Sequence, residues 1–385
     1  MRRSSPVGSA RSVGLAALTV GLALALIGCG GSNADSDPEP SGGSGGGRPG
    51  LRLDQAQIVG THNSYHRRPF PPVWRQLQES VPAIAAEIDY EHPPLPDQLN
   101  RGVRHIELDI LDDPAGNLYA PPPGETYPNL PTDPVMRRPG FKVLHQAGVD
   151  TNSNCLTLEI CLRQVRDWSS AHPGHVPIAV MLQSKDPAFG ADRLRRLEAT
   201  IESVFPRRQL LTPDDVRGEA PTLGAAVRAR GWPEIDRVRG RIWLFMPGAQ
   251  YRTTVLARDP GLRDALVFTA STPGATDAAF AMVDDPVADG DLVTAAVRAG
   301  MIVRTRADAD TYEARRNETG RRRTALAGGA QLISTDYPWP DPRFGTGYVV
   351  RIPGGTPGRC NPVTAPPGCR PEDVEDPARL APTPG

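Results

Sequence analysis

Short apolar runs of strand length recur along the chain from residue 57 onward, separated by stretches with helical spacing. The runs are Gln57 to Thr61, Val103 to Ile110, Lys142 to His145, Pro177 to Gln183, Arg241 to Met246, Ala265 to Ala270, Gly300 to Thr305 and Gln331 to Thr335. Helical spacing marks Leu156 to Ser170, Gly190 to Phe205, Thr222 to Arg230 and Asp291 to Ala299. Strand alternating with helix predicts an α/β protein with a parallel sheet, and eight runs with no obvious edge strand predict a single closed (β/α)8 barrel of the TIM type. A doubly wound sheet is the alternative. It would place a Gly-rich phosphate loop after its first strand, and no G-x-G-x-x-G follows the run at 57–61.

The runs end in groups that hold metals or move protons. The first leads into His62-Asn63-Ser64-Tyr65, the second carries Glu107 and Asp109, and the third ends at His145. Strand side chains alternate faces, so Glu107 and Asp109 point one way while Ile106, Leu108 and Ile110 pack the other. Asn63, Glu107 and Asp109 are oxygen ligands of the kind hard cations take, and Gln183 can complete the shell. Without sulfur in the set, Ca2+ is expected ahead of Mg2+ and of zinc. His62 and His145 are the proton-transfer candidates, because an imidazole titrates near neutral pH. Lys185 shares a face with Gln183 and is placed to meet a phosphate. Arg304 and Arg306 fall on one face near the mouth, fit for substrate phosphate or hydroxyls or for pairing with acids, and Asp336 ends the last run where it can orient a neighbour. Of the 43 Lys and Arg residues only Lys142 and Lys185 are lysines. A lysine spared in an arginine-rich chain marks a need for a compact charge. That supports Lys185, whereas Lys142, off the parity of His145, is expected at the surface or lower rim. His105 shares parity with Glu107 and is expected in the barrel interior below the mouth. His66 has a helical metal spacing from His62 but sits at a strand end, and His172 and His175 lie in a Pro-Gly turn expected to be exposed.

Outside the runs, composition divides the chain. Arg2 and Arg3 precede an apolar stretch, Val13 to Ile27, shorter than a membrane span and closing in Leu26-Ile27-Gly28-Cys29. Residues 1–29 therefore read as an export leader. Leu-Ile-Gly-Cys resembles the lipobox of bacterial lipoproteins, which makes Cys29 a lipid anchor and the expected location the outer face of a bacterial membrane. Residues 30–50 form a Gly/Ser/Pro tether, 51–352 the barrel, and 353–385 a Pro-rich tail without assigned chemistry. The Pro- and Gly-rich segment Asp112 to Gly140 is expected to be a lid or rim. The remaining cysteines suggest local disulfides, Cys155 with Cys161 and Cys360 with Cys369, although four cysteines allow three connectivities and a structural zinc is an alternative. A formal net charge of −1 gives no support to nucleic-acid binding. A monomer is expected.

Thr-His-Asn-Ser-Tyr followed by Gly-Val-Arg-His-Ile-Glu-Leu-Asp-Ile resembles the two opening motifs of phosphatidylinositol-specific phospholipase C catalytic domains, most closely the calcium-dependent bacterial branch. Met-Leu-Gln-Ser-Lys and Leu-Ile-Ser-Thr-Asp-Tyr-Pro are similar to the fourth and eighth strands of the related glycerophosphodiester phosphodiesterases, so the resemblance runs from about Gln57 to Pro340. It implies a barrel in which the inositol 2-hydroxyl attacks phosphorus, releasing diacylglycerol and a cyclic inositol phosphate. By the same resemblance His62 is base or charge stabiliser near the phosphate and His145 the general acid on the leaving glycerol oxygen. Asn63, Glu107 and Asp109 hold calcium. The chain departs from the pattern at Gln183, where a glutamate ligand is usual, and the lost charge weakens the expected metal site. Two other readings follow from the motifs. One is a glycerophosphodiester phosphodiesterase, although those enzymes usually show His-Arg-Gly where this chain has His62-Asn63-Ser64; the other is a non-catalytic barrel that binds head groups.

Overall fold

The computed structural model describes residues 50–125, 127–355 and 357–380. The leader, Cys29 and all of the tether but Gly50 lie outside them. Ten strands occur among the described residues: β1 (Ala56–Thr61), β2 (His105–Leu111), β3 (Lys142–Val143), β4 (Ile178–Ser184), β5 (Ile242–Met246), β6 (Val267–Thr269), β7 (Phe280–Met282), β8 (Ile302–Arg306), β9 (Leu332–Thr335) and β10 (Gly358–Cys360). Eight of them pair in the order β6-β5-β4-β2-β1-β9-β8-β7, all parallel. The ends of that ribbon meet through a single bridge, Ala270 to Phe280, where the Ser271 N–H donates to the Phe280 carbonyl at 2.9 Å. The expected eight-stranded α/β barrel is therefore present, joined narrowly between β6 and β7.

Membership of the barrel differs from expectation in one place. Lys142 and Val143 pair antiparallel with Leu111 and Ile110. The run at 142–145 is thus the return arm of a hairpin on β2, and the remaining barrel strand is β7, a three-residue strand. The reason is geometric. The segment after β2 folds back on the strand it has just left, and an antiparallel return needs no crossover helix.

Barrel strands buried on both faces need nearly continuous apolar sequence, and β2 is buried at all seven residues. Its polar members point inward. His105 stacks on Phe245 with ring centroids 5.7 Å apart, and Phe245 in turn packs on Phe280 at 4.1 Å. This aromatic plug fills the interior below the mouth, the position expected for His105. Gly60 lies opposite His105, where a Cβ would come within 2.3 Å of the His105 Cβ, so glycine is required by close approach. Outside, the helix Leu158–Ala171 starts on the Thr157 hydroxyl, which accepts from the Ile160 N–H, and buries Leu158, Cys161, Leu162, Val165 and Trp168 along one stripe.

Both expected disulfides form, Cys155 to Cys161 and Cys360 to Cys369. The tail is built into the fold: β10 pairs antiparallel with β1, and Glu375 is fully buried against Arg104. Lys142 is also fully buried, contrary to expectation. Its ammonium sits 3.1 Å from Asp113 and donates to the Arg138 and Gly140 carbonyls, which pins both ends of the 112–140 segment. His175 is buried too, bonded at Nε2 to Ser169 Oγ (2.7 Å) and at Nδ1 to the Val176 carbonyl (2.6 Å), while half-buried His172 stacks on Trp168 at 4.2 Å.

Candidate active site

β1 ends at Thr61, and the chain turns sharply at Asn63, whose φ of 43° lies in the left-handed region that asparagine tolerates better than most residues. The turn is clamped to β2: the Ser64 N–H donates to the Glu107 carbonyl (2.9 Å), and the Glu107 N–H donates to Ser64 Oγ (2.8 Å). His62 is thereby held beside the ends of β2 and β9. Its Nδ1 lies 2.9 Å from Asp336 Oδ1 and its Nε2 lies 3.8 Å from Glu107 Oε1. The second Asp336 oxygen accepts from Arg306 at 3.0 Å. Burial, followed by the Arg306 guanidinium, pushes His62 well below the ordinary histidine value, against the opposing pull of Glu107. The ring is therefore neutral near pH 7. With its proton assigned to Nδ1 facing Asp336, Nε2 keeps a lone pair for a base.

A second imidazole is held in the same way. His145 Nδ1 lies 2.8 Å from Asp150 Oδ2, and that oxygen also takes His66 Nε2 at 2.8 Å. Burial acts to raise the Asp150 carboxyl, but the two imidazoles outweigh it and bring the value down to about 2. His66 is fully buried; its backbone N–H donates to the backbone carbonyl of Asn63, and its ring rests on Tyr90 at 4.4 Å. Asp150 and Tyr90 do not stand out in the sequence, and His66 does so only by a helical metal spacing from His62 that its place at a strand end argues against. The one available signal was an aspartate five residues beyond His145.

The carboxylates of β2 are already counterbalanced. Glu107 Oε2 accepts from Arg304 at 2.6 Å, and Arg304 also bonds Asp284 and Ser334. Asp109 Oδ2 accepts from Tyr65 Oη and from Lys185 Nζ, each at 2.8 Å. Asp109 Oδ1 is buried with no partner. Asn63 commits its amide NH2 to Tyr90 Oη at 2.8 Å, which leaves its carbonyl oxygen for a ligand. Gln183 is paired in register with Asp109. An orphaned carboxylate oxygen, an uncommitted amide oxygen and a second carboxylate, all at strand ends on one side of the barrel, are donors that fit a hard cation such as calcium. The neighbouring Arg304 and Lys185 lower the net negative charge available to it.

Nine of the expected site residues, His62, Asn63, Glu107, Asp109, Gln183, Lys185, Arg304, Arg306 and Asp336, lie on or just past the carboxyl ends of β1, β2, β4, β8 and β9. His145 comes instead from the hairpin after β3. Arg304 is sunk below the rim, its two terminal nitrogens engaged by two acids, whereas the Lys185 side chain is 27% exposed. Among the described residues no helix is long and apolar enough to cross a membrane.

Residues 51–362 match the family model described as phosphoinositide phospholipase C, Ca2+-dependent. Among solved structures, the chain is similar to a calcium-dependent phosphoinositol-specific phospholipase C from a Pseudomonas species, with a TM-score of 0.51 and 18% identity over 80% of this chain and 95% of that one. A Ca2+-dependent phosphatidylinositol-specific phospholipase C from Streptomyces antibioticus gives a TM-score of 0.50 and 19% identity over 74% of this chain and 94% of that one. No curated protein matches the chain.

Proposed function

Because the chain belongs to the Ca2+-dependent phosphoinositide phospholipase C family, a family of phosphodiesterases, we propose that it cleaves phosphatidylinositol or a close inositol phospholipid to diacylglycerol and a cyclic inositol phosphate. The observation that carries this reading is the matched pair of imidazoles, each tied through Nδ1 to a buried aspartate. His62 Nε2 takes the proton of the inositol 2-hydroxyl as that oxygen bonds to phosphorus. His145, as imidazolium, gives its proton to the glycerol oxygen as the phosphorus–oxygen bond breaks. One proton is accepted and one delivered, so the two imidazoles exchange protonation states and are reset through solvent. Lys185 and Arg306 balance the charge that grows on the phosphate oxygens. Calcium, held by oxygens of Asn63, Glu107, Asp109 and Gln183, supplies further positive charge to the phosphate when bound.

Phosphorus NMR of purified protein with phosphatidylinositol vesicles, with calcium or with chelator, tests the reading. A cyclic inositol phosphate that appears only with calcium is the expected result. A non-cyclic phosphate as first product would make water the nucleophile, as in a glycerophosphodiester phosphodiesterase, and no product under either condition would leave the head-group-binding barrel. The proposed site of action is the outer face of a membrane, reached through lipidated Cys29. Cys29→Ser is expected to move the protein from the membrane to the soluble fraction, and a variant still in the membrane would end that part of the proposal.

A further inference from the structure

Next to the turn that carries Asn63 stands a donor set of different chemistry. His66, His145 and Asp150 each offer one ligand atom within 4.8 Å of the others, and His66 Nε2 and His145 Nδ1 each lie 2.8 Å from Asp150 Oδ2. His66 and Asp150 are buried, and the His145 side chain, 23% exposed, connects the cluster to solvent. Asp150 Oδ1 is buried without a partner, so the carboxylate has a second oxygen to offer. Calcium does not suit two imidazole nitrogens, whereas two nitrogens and a carboxylate, with water in a fourth position, are the donors zinc and its neighbours take.

We propose that His66, His145 and Asp150 form a binding site for a borderline transition-metal cation, zinc being the type case, and that its occupation switches the enzyme off. Zinc takes the place of the two ring hydrogens now directed at Asp150 Oδ2. A ring in the neutral form moves its proton to its other nitrogen, and a ring in the imidazolium form, which His145 takes in the cycle proposed above, also releases one proton to solvent. His145 is then bonded to metal at Nδ1 and carries a fixed proton at Nε2, and it can no longer become the imidazolium that protonates a leaving oxygen. Binding follows from the geometry alone; inhibition rests on the function proposed above.

Cobalt(II) tests the site directly, because in a tetrahedral nitrogen and oxygen set it absorbs visible light. The full protein is expected to take up one Co2+ with such a spectrum, which one equivalent of Zn2+ removes. His66→Gln and Asp150→Asn should each weaken binding at least ~100-fold, since even outer-shell losses cost 10- to 100-fold. His172→Gln, which changes an imidazole outside the cluster, should bind as the parent does. The site fails if the parent shows no spectrum up to millimolar Co2+, or if either cluster variant, shown folded by near-ultraviolet circular dichroism, binds unchanged. In the phosphatidylinositol assay Zn2+ should abolish turnover and excess calcium should not restore it. Zinc bound at full occupancy with turnover intact would overturn the switch. The cobalt spectrum still decides the site if the phospholipase reading itself fails.

Discussion

At the amino-terminal end of the barrel, Arg104 closes on Glu375 through two hydrogen bonds of 2.8 and 2.5 Å and spends a third nitrogen on the Leu99 and Val103 carbonyls, and Glu375 also accepts from the Val176 N–H. At the carboxyl-terminal end Asp109 and Asp150 each keep a buried oxygen with no partner. Leaving a buried polar atom unpaired costs on the order of 1–3 kcal/mol, more where it is charged. A fold that satisfies its buried acid so fully at one end and leaves two unfinished at the other concentrates that cost where a ligand can relieve it. The lower end is built to hold the barrel shut, and the upper end to receive something.

The largest effect that sharpens this contrast is catalytic. His62→Ala and His145→Ala are each expected to lower phosphatidylinositol turnover by about 10²- to 10⁴-fold, the range for loss of a general acid or base. Urea midpoints should stay close to the parent value. Full activity in either variant would break the assignment of the two imidazoles. The next effect runs the other way. Glu375→Ala leaves Arg104 buried and unpaired, which costs about 3–5 kcal/mol, and urea denaturation should show it. Turnover per folded molecule should hardly change; a large loss would mean that the two ends are coupled.

How far this division can be read from sequence depends on the distance over which each contact is made. Seven of the eight barrel strands and the nine site residues at their carboxyl ends were visible, because strand parity places Glu107 and Asp109 together without any knowledge of the fold. β7 was hidden because three apolar residues carry too little pattern, and the hairpin at β3 because antiparallel pairing leaves no mark on a two-residue run. Asp150 and His66 meet across 84 residues and Arg104 and Glu375 across 271, separations at which no local periodicity operates. The rarity of lysine did point to two special positions. Both lysines pair with an aspartate, Lys185 with Asp109 at the rim and Lys142 with Asp113 in the hairpin, where it was not expected.

The smallest expected effect belongs to His175, also at the lower end. Burial, only partly offset by its bond to the Val176 carbonyl, lowers its pKa to about 4, against about 6.5 in an unfolded chain. Between those values the unfolded state binds a proton that the folded state refuses, so stability falls as the pH drops from 6.5 to 4 and levels off below. Integrated over that window the loss is roughly 3 kcal/mol. Urea midpoints measured from pH 7 to pH 4 should fall accordingly, and His175→Gln, unable to charge, should flatten the fall while being less stable at pH 7. Asp150 acts in the same direction but in a lower window at the upper end: its carboxyl, held at about 2, contributes stability above the ordinary carboxylate range that is lost as the pH falls towards 2. The two windows therefore separate the ends of the barrel along a single pH axis. A stability curve unchanged by His175→Gln between pH 6.5 and 4 would show that His175 is charged in the fold and that the lower end is less tightly closed than its hydrogen bonds imply.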